Sequence, residues 1–156
     1  MKRKFITYFM ELAELTSKLS YATRLKVGAV IVKGNQIIGT GYNGMPTGWD
    51  NNCEYEENVL ISEFGSPPKF EETGKLKTKP EVLHAESNAI LKVARSTESS
   101  EGATLFCTHA PCIECAKLIY QSGIKTIYYK EQYRDDSGLK FLIQGDVNVY
   151  QYQTEV

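Results

Sequence analysis

The stretch ATLFCTHAPCIECAKLIYQSGIKTIYY, residues 103–129, reads as strand, helix, strand. Residues 103–108 are a short apolar run, the signature of a buried strand. Residues 111–121 suit a helix, with Pro111 at the first position, where a missing N–H does no harm. Gly123 stands just past the helix end, where a left-handed residue often stops the chain. Residues 124–129, rich in Ile and Tyr, read as a second strand. Two strands joined by a helix imply parallel pairing through a crossover, so the fold class is α/β.

Working outward, residues 2–19 read as an amphipathic helix, with Phe5, Phe9, Leu12, Leu15 and Leu19 at steps of three and four. Residues 27–42 read as a β-hairpin about the turn signal Gly34-Asn35. Residues 41–48 hold three Gly and one Pro, too many for a strand, and read as a shaped loop. Residues 49–80 read as a loop-rich insertion with one short helix near 54–63. Residues 80–96 read as a helix with a stripe of Val82, Ala85, Ala89, Ile90 and Val93. A short helix over 138–143, a strand over 147–150 and a polar tail finish the chain. Together these predict one domain, residues 1–156, built on a mixed sheet of about five strands with helices on its faces.

The chain has 18 basic and 19 acidic residues, a net charge of -1. It shows no basic stripe of the kind that tracks a polynucleotide. No apolar run approaches the roughly 18 residues a membrane span needs. The start, Met1-Lys2-Arg3-Lys4, leads into a short apolar block without a small-residue cleavage site, so a cytoplasmic setting is expected.

The four cysteines lie at 53, 107, 112 and 115. Cys112 and Cys115 are three apart beside a helix start, where free backbone N–H groups and the helix dipole favour thiolate over thiol. His84-Ala85-Glu86 supplies an imidazole and a carboxylate. One His and two Cys are a recognised ligand set for catalytic zinc, which leaves its fourth position to water. A carboxylate that stays off the metal can then move protons. His84 and Glu86 are about 200° apart on an ideal helix, so they share a site only if His84 lies at or before the helix start. A Cys-x-x-Cys pair also suits a redox dithiol. A closed structural zinc site could instead recruit Cys53, Cys107 or His109.

These motifs resemble the cytidine deaminase superfamily, whose signature is His-x-Glu followed by Pro-Cys-x-x-Cys. The loop Gly41-Tyr42-Asn43-Gly44-Met45-Pro46 and the continuation Cys115-Ala116-Lys117-Leu118-Ile119 narrow the resemblance to deoxycytidylate (dCMP) deaminases. Free-cytidine deaminases tend to carry Cys in place of His84, and tRNA adenosine deaminases usually continue with Gly-Ala after the second Cys. The resemblance implies a three-layer fold and a hydrolase that converts dCMP to dUMP and ammonia, feeding dTMP synthesis. It implies one catalytic Zn2+ on His84, Cys112 and Cys115, with Glu86 as the catalytic acid–base. Arg24, Asn43, Ala85, His109, Tyr133 and Arg134 are the candidate substrate-binding residues. The resemblance also implies activation by dCTP and inhibition by dTTP, with Mg2+ accompanying the triphosphate, in a homohexamer. Gly41, Tyr42, Gly44 and Met45 are the candidate effector-binding residues. Some relatives hold a second, structural zinc with extra His and Cys; here only Cys53 lies nearby, so none is expected. The other readings are a different zinc deaminase, acting on dCTP or a tRNA base, and a zinc-binding module without catalysis.

Overall fold

The structure, a computed structural model, describes residues 1–154; residues 155 and 156 of the polar tail lie outside it. In chain order the elements are α1 (Arg3–Ser17), β1 (Gly28–Lys33), β2 (Gln36–Tyr42), β3 (Glu54–Leu60), β4 (Phe70–Thr78), α2 (Ala85–Ala94), β5 (Thr104–His109), α3 (Ile113–Gln121), β6 (Thr126–Glu131), α4 (Ser137–Gln144) and β7 (Asn148–Gln151). Five strands form one sheet in the order β2-β1-β5-β6-β7. The β1–β2 and β1–β5 pairs are antiparallel, whereas β5, β6 and β7 run parallel. The mixed five-stranded sheet expected from the sequence is therefore present. Among the described residues, no helix is long and apolar enough to cross a membrane.

Period-two alternation divides the core between the two faces of this sheet. Ala29 and Ile31 of β1, with Leu105 and Cys107 of β5, face one way and pack with Ala85, Ala89 and Val93 of α2, Ala116 and Ile119 of α3, and Leu142 of α4. Val30, Val32 and Phe106 face the other way, against Phe9, Met10 and Ala13 of α1. The result is three layers, with α2, α3 and α4 together on the face that carries the motif residues.

Both motif helices begin later than the sequence suggests, for a physical reason in each case. The α2 helix starts at Ala85, with His84 as an extended cap at ψ 153°. Leu83 is bridged to the loop at Gly44 by two backbone hydrogen bonds, of 2.9 and 3.1 Å, which hold the chain extended up to His84. The α3 helix starts at Ile113, capped by Cys112 at ψ 169°. Pro111 thus precedes the cap rather than opening the helix. Gly123 does follow the helix end, at φ +80°.

The short helix expected near 54–63 is absent; β3 and β4 form a separate antiparallel hairpin instead. Glu-rich segments have fair helix propensity, but Tyr55 and Val59 favour strands, and pairing with residues 70–78 decides between them. Most of the hairpin is exposed, so no apolar surface is available to bury a helix stripe.

Gly41 in β2 shows how closely α2 is seated. A Cβ there would lie 2.2 Å from the Ala85 carbonyl oxygen and 2.5 Å from the Ala89 nitrogen. Gly41→Ala should destabilise the fold by about 1–3 kcal/mol, because backbone rather than a flexible side chain must yield. Urea denaturation measures this; an unchanged midpoint would show that the close approach does not constrain the fold.

Candidate metal centre and active-site pocket

The two caps face each other. One donor atom from each of His84, Cys112 and Cys115 falls in a single group, all within 4.8 Å of one another. His84 Nδ1 lies 3.5 Å from Cys112 Sγ and 3.4 Å from Cys115 Sγ. Zinc–sulfur and zinc–nitrogen bonds of about 2.3 and 2.0–2.1 Å at a tetrahedral angle separate sulfur from nitrogen by roughly 3.6 Å. The donor set and its spacing therefore fit a zinc ion. Among the described residues, no fourth His, Cys, Asp or Glu joins the group. Cys107 is buried in the main core, Cys53 packs with Ala22 and Val82, and His109 bonds to Thr108 at 3.0 Å. None of the three closes the set, so the arrangement is that of an open site.

The electrostatics favour one thiolate at the site. Hydrogen bonding from Cys115, and then from His84, holds the Cys112 thiol well below its usual range. Cys115 is raised by sharing its proton with Cys112 and by burial. The two sulfurs thus share one proton readily, and the N-termini of α2 and α3 both favour negative charge here. A cation at the triplet would displace the second proton as well.

Glu86 lies two residues beyond the His84 cap and is only 4% exposed. Because His84 is extended, the two side chains reach one site despite the helix angle between them. Burial pushes the Glu86 carboxyl up to about 7, although its own backbone N–H and His84 pull the other way. A cation beside it would draw it back down.

A pocket of about 410 Å³ opens over the motif residues. His84, Glu86 and Cys112 line it, and so do all six candidate substrate residues, Arg24, Asn43, Ala85, His109, Tyr133 and Arg134. Cys115 lies behind this surface, buried in α3. Gly41, Tyr42, Gly44 and Met45 do not line the pocket. Gly41 packs on α2, the Tyr42 carbonyl accepts a bond from Asn88 Nδ2, and Gly44 holds Leu83.

Arg24, Asn43 and His109 have internal partners, with Arg24 Nη1 donating to Thr78 Oγ1. Asn43 Oδ1 accepts from the Val27 N–H at 2.7 Å, and its Nδ2 donates to the Leu25 carbonyl at 2.8 Å. His109 Nδ1 meets the Thr108 hydroxyl, and burial lowers its pKa, so a neutral ring faces the pocket. Sequence reasoning missed Leu25, Val27, Thr78, Val82 and Gln132 among the lining residues. Gln132 could have been found beside Tyr133, and Val27 before β1. Thr78, at the end of an exposed strand, carried no signal.

The sequence model described as "Cytidine and deoxycytidylate deaminase zinc-binding region" matches residues 3–131. The chain is 40% identical over 148 residues to deoxycytidylate deaminase of Enterobacteria phage T4, covering 80% of this chain and 76% of that one. It is 38% identical over 149 residues to deoxycytidylate deaminase of Schizosaccharomyces pombe, covering 94% of this chain but only 43% of that longer protein. The crystal structure of dCMP deaminase from cyanophage S-TIM5 in complex with dCMP and dUMP superposes with a TM-score of 0.81 at 41% identity, covering 97% of this chain and 99% of that one. A match this extensive, on a chain whose His84, Cys112 and Glu86 line one pocket with Cys115 behind them, shows that the chain belongs to the cytidine and deoxycytidylate deaminase family.

Proposed function

We propose that this protein is a zinc-dependent deoxycytidylate deaminase that converts dCMP and water to dUMP and ammonia. The observation that carries the reading is the open His84/Cys112/Cys115 triplet beside buried Glu86 at one pocket, in a chain of this family. The complex of the cyanophage relative with dCMP and dUMP supports the choice of substrate.

His84, Cys112 and Cys115 hold the zinc. The chemistry supplied by zinc held there is Lewis acidity, which lowers the pKa of a bound water toward about 7. Glu86 carries the protons. It takes one from the attacking water and gives it to ring N3, then takes a second from the new C4 hydroxyl and delivers it to the departing amine, leaving the C4 carbonyl of dUMP and free ammonia. Its burial keeps bulk solvent from competing and raises its pKa against the pull of the cation, so the carboxyl can both accept and release a proton. Ala85 and His109 flank the base. Arg24 and Arg134, with Tyr133, supply donors for the 5′-phosphate, which guanidinium groups match in shape and charge. Asn43 uses one N–H and one acceptor site on the backbone, leaving its other N–H for the sugar or phosphate.

The reading extends to regulation: dCTP activates and dTTP inhibits, with Mg2+ accompanying the triphosphate, in a cytoplasmic homohexamer. Family resemblance supports this, together with one local connection. The end of β2 and the loop after it, which bear Gly41, Tyr42, Gly44 and Met45, join the site through the Gly44–Leu83 bridge, immediately before His84. A nucleotide bound on that loop would act on the residue that caps α2.

Ammonia release from dCMP, CMP, dCTP and deoxycytidine, with and without dCTP and dTTP, tests the substrate. dCMP should be turned over best, with dCTP raising and dTTP suppressing the rate. Turnover of dCTP with dCMP ignored would overturn the assignment. Glu86→Gln should keep its zinc and lose about 10²–10⁴-fold or more in kcat, the range for lost acid–base transfer. Substantial turnover in the zinc-loaded variant would remove Glu86 from the mechanism. Cys112→Ser should lower zinc content and activity together, as read by atomic emission; full zinc retention would remove Cys112 from the ligand set.

A further inference from the structure

The segment between α1 and β1 contains neither helix nor strand, yet it brings Arg24 into the pocket. Its backbone groups must therefore find partners from elsewhere in the fold. Asn43 braces one end, at Leu25 and Val27. Glu54 braces the other: one of its carboxylate oxygens accepts from the backbone N–H of Thr23 at 2.9 Å and of Arg24 at 3.2 Å. Glu54 is only 6% exposed. A buried carboxylate demands such donors, and successive backbone N–H groups are a good match for it.

Thr78 acts at the other end of the same arginine. Arg24 Nη1 donates to Thr78 Oγ1 at 3.0 Å. Glu54 and Thr78 are cross-strand partners in the register of β3 and β4. One residue pair at the root of the hairpin therefore holds Arg24 twice, by its backbone and by its guanidinium. The Thr78 bond uses one of five guanidinium N–H donors and leaves the rest available. A long side chain already fixed at the pocket loses less freedom when an anion binds.

We infer that Glu54 and Thr78 are positioning residues that place Arg24 for the 5′-phosphate of the substrate, so that the root of the β3–β4 hairpin sets affinity for phosphorylated over unphosphorylated nucleosides. The inference rests on the dCMP reading. It gives the otherwise exposed hairpin a function at the end where it meets the domain.

Thr78 is exposed, so its substitution leaves the core intact. Thr78→Val should raise KM for dCMP roughly three- to tenfold, the scale of one such hydrogen bond, while kcat falls far less. Thr78→Ser restores a hydroxyl and should restore KM. In an Arg24→Ala background, Thr78→Val should add nothing, because its effect runs through the arginine. A KM within about twofold of wild type in Thr78→Val, or the same added factor in the Arg24→Ala background, would overturn the inference. Wild-type turnover of dCMP in the same assay separates the two ideas. Its absence sinks the substrate assignment; its presence with an indifferent Thr78→Val sinks only the role of the hairpin.

Discussion

The site depends on one backbone constraint: two helices must start at residues whose side chains belong to the donor triplet. His84 and Cys112 are both extended caps, and in each case the cap carbonyl accepts the first helical bond, from Asn88 and Ala116 respectively. The cap position turns each side chain away from its helix cylinder and toward the other helix. Cys115 then needs only to lie in the first turn of α3. Had α2 begun one turn earlier, His84 and Glu86 would diverge around the helix. The Leu83–Gly44 bridge prevents this, so a loop distant in sequence sets the geometry of the donor triplet.

A second layer of constraint is polar. The pocket rim is an irregular segment held by side chains: those of Ser20, Asn43 and Glu54 each bond to backbone, the Ser20 hydroxyl donating to the Asn43 carbonyl. Such bonds let a loop be rigid without being regular. Rigidity matters for a binding pocket, since donors fixed in advance bind with less loss of freedom. The main core stays apolar beneath this rim, with small residues where helix meets sheet. Gly41 allows β2 to approach the α2 backbone, and Ala85 and Ala89 complete that contact.

Much of this was legible in the sequence because local patterns carried it. The apolar runs at 103–108 and 124–129, and the turn signal within 27–42, marked the strands, and Gly123 marked a helix end. The angle between His84 and Glu86 on an ideal helix required His84 at the helix start, and the structure places it there. What stayed hidden depends on long-range pairing. Residues 54–60 have mixed propensity, and only their pairing with residues 70–78 makes them a strand. Pro111 looked like the first helical residue, but Cys112 takes the cap. Glu54 and Thr78 fell within the loop-rich insertion with nothing to single them out. Their contacts with Arg24 span 30 and 54 residues, beyond any periodicity.

The proposed metal centre is open and is built from one imidazole and two cysteine sulfurs at converging helix starts. Zinc-edge X-ray absorption on the purified protein tests it most directly. The account predicts two sulfur neighbours at about 2.3 Å, with nitrogen and oxygen neighbours at about 2.0–2.1 Å completing the shell. A third sulfur, from Cys53 or Cys107, or a shell with a single sulfur, would contradict it.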